Sequence, residues 1–163
     1  MPTGLLPVAA PTGAAAPTEP QAVAEAFLAH LAASDLPAAL DLLATDVDYV
    51  NVGLPTIRGR KAVGKALGGL SGPKFGFEVY LHAISADGGT VLTERTDVII
   101  AGPLRAQFWV WGRFDVVDGQ ITLWRDSFDF VDVLRGVVRG VVGIALPGLR
   151  PKAPAGLDVA PGR

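Results

Sequence analysis

The feature of this sequence that most constrains its fold is a change in hydrophobic periodicity near residue 75. From there to residue 130, apolar and polar residues alternate in long segments, which is typical of strands whose two faces differ. Three turn sequences divide this region, and each contains a glycine that suits a tight hairpin. The pattern predicts four consecutive strands at residues 75–85, 90–101, 105–117 and 120–130, joined at Asp87-Gly88-Gly89, Gly102-Pro103 and Asp118-Gly119.

Helical spacing dominates the rest of the chain. Thr18 and Gln21 have the spacing of a capping box, and Ser34 is placed to cap a second helix. The other predicted elements are a short strand at 47–52, a third helix at 58–70 and a last helix at 131–146. Helices followed by antiparallel strands predict an α+β domain, in which helices pack on one face of a curved sheet.

Proline is concentrated at the two ends of the chain. Nine of the 13 prolines lie within residues 1–20 and 147–163, and both ends are also rich in alanine or glycine. Such segments cannot bury enough apolar surface to offset the entropy of ordering them. We therefore predict a disordered tail at 1–17, one folded domain at 18–146 and a Pro/Gly-rich tail at 147–163.

Composition excludes several kinds of site. The chain has no cysteine, which rules out thiolate catalysis and cysteine-ligated metals, and its two histidines, His30 and His82, leave almost nothing for a multi-histidine metal site. A net charge of −2 provides no basic surplus for nucleic acid or for anionic lipid. No stretch is typical of a secretory leader or a spanning helix, so we expect a cytoplasmic protein without membrane insertion. The hydrophobic content of 50% predicts a large core, a subunit interface or an apolar pocket.

Strand parity brings charged residues onto otherwise apolar faces. Arg95 and Asp97 point to the same side of one predicted strand, and Asp126 lies between Trp124 and Phe128 on another. A buried carboxylate without a partner is costly, so Asp126 requires one. Two other interpretations remain open, namely solvated strand faces and a purely structural Asp–Arg–Asp cluster. The short strand adds two further polar residues on one face, Tyr49 and Asn51.

Three segments carry a resemblance to a known family. They are Tyr49-Val50-Asn51, Thr93-Glu94-Arg95-Thr96-Asp97-Val98 and Trp124-Arg125-Asp126-Ser127-Phe128-Asp129. In this order, and on strands of matching parity, they resemble the signature of limonene-1,2-epoxide hydrolases, within the nuclear-transport-factor-2-like superfamily. The resemblance covers about residues 20–146. It implies a cone-shaped, curved mixed β-sheet with N-terminal helices packed on its concave face.

The resemblance also implies roles for five residues. Asp126 is expected to be the general base that takes a proton from water, which Tyr49 and Asn51 help to hold. Asp97 is expected to be the general acid that protonates the epoxide oxygen, and Arg95 to lie between the two carboxylates. One guanidinium between two carboxylates lets a proton remain on one of them while the other stays charged. No cofactor and no metal are expected.

The sequence therefore predicts an epoxide hydrolase that converts an apolar epoxide (terpenoid, steroid or fatty) to a vicinal diol without a covalent intermediate. Such an activity would belong to lipid or terpenoid metabolism or to detoxification. The resemblance and the apolar strand at 108–111 also lead us to expect a homodimer, formed through the exposed sheet face. Two alternatives stay open: a proton-transfer enzyme similar to ketosteroid isomerases or polyketide cyclases, and a non-catalytic small-molecule binding module of the same fold.

Overall fold

A computed structural model describes residues 17–69 and 72–154 of the 163-residue chain. The predicted tails lie largely outside these residues, although the first residues of the C-terminal one form a short 3-10 helix at Pro147–Leu149. The helices and strands, in chain order, are α1 (Pro20–Ala32), α2 (Leu36–Asp41), β1 (Leu43–Asn51), β2 (Ile57–Arg58), α3 (Arg60–Gly68), β3 (Phe75–Asp87), β4 (Thr90–Ala101), β5 (Leu104–Val117), β6 (Gln120–Ser127) and α4 (Phe130–Ala145).

The strands form one curved, unclosed sheet in the order β2-β1-β6-β5-β4-β3. All neighbours are antiparallel except β1 and β6, which run parallel and make the sheet mixed. The α+β architecture predicted from the change of periodicity is therefore confirmed. The last strand, β6, is inserted between β1 and β5, so the first and last strands in chain order are neighbours in the sheet.

The core lies between α1 and the inner face of the sheet. Phe27 of α1 is fully buried and meets Phe114 and Trp124 edge-on, with ring centroids 6.0 and 4.9 Å apart. Burial of each such side chain contributes about 1.5–3 kcal/mol, so this layer holds α1 firmly to the strands. Its other fully buried members include Val23, Leu28, Leu43, Val79, Val91 and Ile121.

The predicted helix caps are wrong at both N-terminal helices. Glu19 precedes α1 without a side-chain cap, and Gln21 Nε2 instead donates to Glu25 Oε1 at 2.9 Å. Ser34 adopts a positive φ of 60°, which ends the preceding turn, and Asp35 caps α2 by accepting from the Ala38 amide at 3.2 Å. Each helix still has a proline in its first turn, Pro20 in α1 and Pro37 in α2, and proline lacks the amide hydrogen that a first turn leaves unpaired.

The sequence also misplaces the end of β6. The predicted strand continues to residue 130, whereas β6 ends at Ser127. The reason is local, because the Asp129 side chain accepts from the amides of Val131 and Asp132 and starts α4 there. The first half of β5 consequently has no strand beside it on that side, since β6 pairs with β5 only from Trp111 onward.

Helix α4 covers this open edge of β5. The Asp132 side chain accepts a hydrogen bond from the Trp109 amide at 2.9 Å. This bond pairs a backbone N–H that has no partner strand at this edge of β5. Gly136 and Gly140 allow close approach, since a Cβ at either position would overlap a β5 carbonyl oxygen. The glycines thus face the sheet, and most of α4's larger apolar side chains are exposed. None of the described helices is long and apolar enough to cross a membrane.

Candidate active site

The parallel pairing of β1 with β6 builds one wall of the site. Tyr49 lies opposite Trp124, and Asn51 lies opposite Asp126, so the four residues occupy two positions of the same ladder on its inner face. The Tyr49 and Trp124 rings stack, with centroids 3.9 Å apart and planes 21° from parallel. The Tyr49 hydroxyl donates to Asn51 Oδ1 at 3.4 Å. Two strands that are distant in sequence therefore place a phenol, an amide and a carboxylate side by side.

Strand β4 supplies the charged centre. Arg95 is fully buried; its Nε donates to Asp97 Oδ1 at 2.9 Å, and its Nη2 lies 2.7 Å from Asp126 Oδ2. Asp97 and Asp126 are themselves only 4% and 5% exposed. One guanidinium between two buried carboxylates compensates their charge, which an apolar interior would otherwise oppose. The interpretation of these positions as solvated strand faces is therefore wrong.

Two residues to which the sequence analysis assigned no role, Thr93 and Gly112, hold Arg95 in place. Thr93 Oγ1 accepts from Arg95 Nη1 at 3.1 Å. Gly112 of β5 leaves the space that the guanidinium fills, because a Cβ there would overlap both Arg95 Nη1 and Thr93 Oγ1. A glycine inside a long alternating strand is a signal of such close approach, although the sequence does not reveal what approaches it.

Burial controls the protonation of the site. Burial, reinforced by Asp126, raises the pKa of Asp97 to about 6 in spite of the opposing effect of Arg95. Burial and the nearby Asp126 charge also raise the pKa of Tyr49 to about 12, so the phenol keeps its proton. Burial alone would lower the pKa of Arg95, but Asp126 and Asp97 outweigh it and raise that pKa. The cluster thus combines a permanent cation with a carboxyl group that can carry a proton near neutral pH.

One carboxylate oxygen remains available for chemistry. Asp126 Oδ1 is buried and accepts no hydrogen bond from any of the residues that the structure describes, while Oδ2 faces Arg95. A buried acceptor without a partner carries a desolvation cost of about 1–3 kcal/mol or more, which a bound donor relieves. This oxygen is thus the natural acceptor for a water molecule or a hydroxyl group.

The charged residues lie at an apolar cavity of about 300 Å³. Asp97 and Asp126 line it together with Tyr49 and Asn51, and apolar side chains form most of the remaining surface. Convergent polar groups in a mostly apolar cavity are typical of a small-molecule site. The apolar lining includes Leu36, Phe77, Ile99, Phe108, Val110 and Phe128.

The two histidines lie away from this cluster. His82 Nε2 is 2.8 Å from Thr96 Oγ1, and its ring stacks on Trp109, on the outer face of the sheet. His30 Nδ1 lies 3.7 Å from Asp35 Oδ2 beyond the end of α1. Across residues 17–69 and 72–154, no three histidine or carboxylate side chains come together in a way that could hold a metal ion.

Comparison with known proteins agrees with this geometry. The family model for the limonene-1,2-epoxide hydrolase catalytic domain matches residues 18–139. The chain is 49% identical over 126 residues to epoxide hydrolase EphG of Mycobacterium tuberculosis (strain ATCC 25618 / H37Rv), a match that covers 77% of this chain and 84% of the relative.

Solved structures show the same relationship. An epoxide hydrolase of M. tuberculosis described as similar to limonene-1,2-epoxide hydrolases has a TM-score of 0.79 and 47% identity, over 83% of this chain and 96% of that one. A nuclear-transport-factor-2-like protein of unknown function from Burkholderia pseudomallei K96243 has a TM-score of 0.63 at 17% identity, over 72% of this chain and 96% of that one, and shows the fold alone. The expected nuclear-transport-factor-2-like fold is confirmed.

Proposed function

From the fact that this chain belongs to the limonene-1,2-epoxide hydrolase family and is an epoxide hydrolase of that type, we propose how its site opens the ring. The reaction adds water to an apolar epoxide in one step and releases a vicinal diol. The observation that carries this proposal is the buried Asp126–Arg95–Asp97 cluster at the wall of an apolar cavity.

Asp126 acts as the general base. Its free Oδ1 accepts a proton from water as the water oxygen attacks a ring carbon. Asn51, beside it on the ladder, and the Tyr49 hydroxyl orient that water, and the phenol remains protonated because its pKa is about 12. Attack by water, rather than by the carboxylate itself, leaves no ester intermediate to hydrolyse.

Asp97 acts as the general acid. With a pKa raised to about 6, it retains a proton far more readily than an ordinary aspartate and donates it to the epoxide oxygen as the C–O bond breaks. Arg95 contacts both carboxylates and stabilises the charge as it passes from one side of the cluster to the other. Each positioned proton transfer is worth about 10²–10⁴-fold in rate.

The substrate is an apolar epoxide of the terpenoid, steroid or fatty class. The cavity volume of about 300 Å³ is at the small end of ligand pockets, and aromatic and aliphatic side chains line it away from the two carboxylates. Such walls bind hydrocarbon by burial and leave the epoxide oxygen as the group that meets Asp97.

The oxygen source tests this mechanism directly. With enzyme in excess over limonene oxide or styrene oxide in ¹⁸O water, the first turnover should place one ¹⁸O atom in the diol. Unlabelled diol in that turnover would mean that an enzyme carboxylate had attacked, and would refute the one-step mechanism. Asp126→Asn should lose turnover, whereas Asp46→Asn, on the same sheet but exposed, should retain it. An active Asp126→Asn protein would refute the assigned base.

The same experiment separates the two alternatives. A ketosteroid-isomerase-like or polyketide-cyclase-like enzyme would move a proton on carbon and give no diol. A binding module would hold the ligand without turnover, with the same affinity in Asp126→Asn. The guanidinium between two carboxylates favours hydrolysis over both, because ring opening needs a base and an acid at once.

We also propose that two copies pair through the outer face of the sheet. Trp109 and Trp111 are exposed there on β5, and Leu92 lies beside them on β4. Exposed tryptophans on one sheet face are typical of an interface. Light scattering should give the mass of a dimer for the wild type and of a monomer for Trp111→Glu, and a monomeric wild type would contradict the pairing.

A further inference from the structure

Helix α4 has its apolar side on the outside. Five residues form what we term the outer row, and each is exposed, with Leu134 reaching 62%. They lie opposite Gly136 and Gly140, which face β5. An apolar helix face turned away from the core usually marks a contact with something else. The outer row consists of Val131, Leu134, Val138, Val141 and Val142.

The outer row continues to the mouth of the cavity. The Phe130 ring, 52% exposed, lies against Gly53 in the turn that follows β1. Leu54 of that turn is exposed and also lines the cavity. Phe130 further packs edge-on against Phe128, another lining residue, at 5.3 Å between centroids. One continuous apolar surface therefore leads from α4 to the cavity.

The charges around the outer row are positive. Residues 130–154 contain four basic side chains and one acidic side chain, a net charge of +3 within a chain whose net charge is −2. Arg135 and Arg139 lie along one side of the outer row and are exposed. The one acidic side chain, Asp132, is bound to the Trp109 amide. An apolar row with arginines along one side is complementary to an anionic lipid surface.

A second copy of the chain suits this surface poorly. It would present Arg135 and Arg139 again, with no free carboxylate on α4 to meet them. A lipid surface, by contrast, takes up an apolar row and supplies anionic headgroups to the arginines beside it.

We propose that α4 binds the surface of anionic phospholipid bilayers, with its outer row in the acyl boundary and its arginines among the headgroups. The helix lies on the bilayer and does not cross it. This inference rests on the proposed function, because it explains how an apolar epoxide reaches the site. An epoxide dissolved in lipid would reach the cavity along the surface formed by Phe130 and Leu54.

Vesicle flotation of the full chain tests the proposal. We expect the wild type to float with vesicles of phosphatidylcholine and phosphatidylglycerol, and more weakly with phosphatidylcholine alone. Leu134→Asp/Val138→Asp should lose binding about tenfold or more, because it places two charges in the acyl boundary. Arg135→Gln/Arg139→Gln should lose about fivefold per arginine for anionic vesicles only. Val117→Asp, an equally exposed change on the β5–β6 hairpin, is the control and should bind like the wild type.

Turnover and mass measurements complete the test. Leu134→Asp/Val138→Asp should hydrolyse a water-dissolved epoxide normally but lose activity toward an epoxide delivered in vesicles. A wild type that does not float, or a double variant that floats unchanged, would overturn the proposal. A dimer that becomes monomeric in the double variant would also overturn it, by showing that a second copy covers α4. Flotation needs no turnover, so failure of the proposed hydrolysis would be seen separately.

Discussion

Gly112 provides a sharp test of how the charged cluster is built, because a single methyl group there meets the buried guanidinium. In Gly112→Ala, the new Cβ would overlap Arg95 Nη1 and Thr93 Oγ1. Arg95 has no free side to which it can move, since Nε is held by Asp97 at 2.9 Å and Nη2 by Asp126 at 2.7 Å.

Two outcomes bound the cost of Gly112→Ala. If the strands move apart and the cluster survives, overpacking costs about 1–3 kcal/mol. If the guanidinium leaves its carboxylates, the broken buried pair costs about 3–5 kcal/mol. Since Arg95 is fully buried and held on both sides, we expect about 3 kcal/mol or more, and a melting temperature lower by about 10 °C. Turnover should fall about 100-fold, because the cluster is displaced by a sizeable fraction of an ångström.

Urea unfolding followed by tryptophan fluorescence measures the stability, and diol formation measures the activity. Gly68→Ala is the matched control, because a Cβ at the end of α3 would meet nothing within 4 Å. It should leave both quantities unchanged or slightly increase the stability. If Gly112→Ala unfolds within about 1 kcal/mol of the wild type and keeps its turnover, our account of how Arg95 is held is wrong.

Three further changes test the groups around Arg95. Arg95→Ala should cost about 3–5 kcal/mol of unfolding free energy as well as activity, and an undiminished melting temperature would argue against a buried cluster. The pKa of Asp97 is raised from 3.8 to about 6, so its contribution to stability is present below pH 4 and is lost as the pH rises through 6, by about 3 kcal/mol. Asp97→Asn should lack that decline in the free energy of unfolding, measured by urea unfolding between pH 4 and 8. An equal dependence of the free energy of unfolding on pH in both proteins would exclude Asp97 as its source. Wild-type kcat/KM should fall above pH 6, because the general acid then loses its proton. Tyr49→Phe removes the hydroxyl that donates to Asn51 and should lower kcat about five- to tenfold. Its pH profile should match that of the wild type, because the pKa of Tyr49 is about 12; a shifted profile would mean that the phenol titrates during catalysis.

Strand parity was sufficient to place Arg95 beside Asp97 and to indicate that Asp126 is buried, whereas the contact between Asp126 and Arg95 was expected only from the family resemblance. The alternation along β4 placed Arg95 and Asp97 on one face, and the aromatic neighbours of Asp126 indicated that this carboxylate is buried. Both depend only on the two-residue period of a strand, which the sequence displays directly. The change of periodicity predicted the α+β class for the same reason.

Features that depend on which strands become neighbours could not be predicted from the sequence. The space left by Gly112 for Arg95 follows from the register of β4 with β5, which pairs Gly112 with Thr93. The end of β6 depends on a competition between strand extension and the Asp129 cap, and the local pattern favours both. The orientation of α4 could not be predicted either. Its glycines face the part of the β5 edge that β6 does not cover, and the sequence does not show where β6 stops covering it.

The insertion of β6 between β1 and β5 has a consequence for the order of folding. Asn51 and Asp126 are neighbours in space but 75 positions apart along the chain, and closing so long a loop is slow. The hairpin of β4 and β5 can assemble from local contacts, and it carries Arg95 with only one of its two acidic partners. The site is therefore complete only after β6 has paired with β1. Activity should appear late in refolding, at the rate of that long-range pairing.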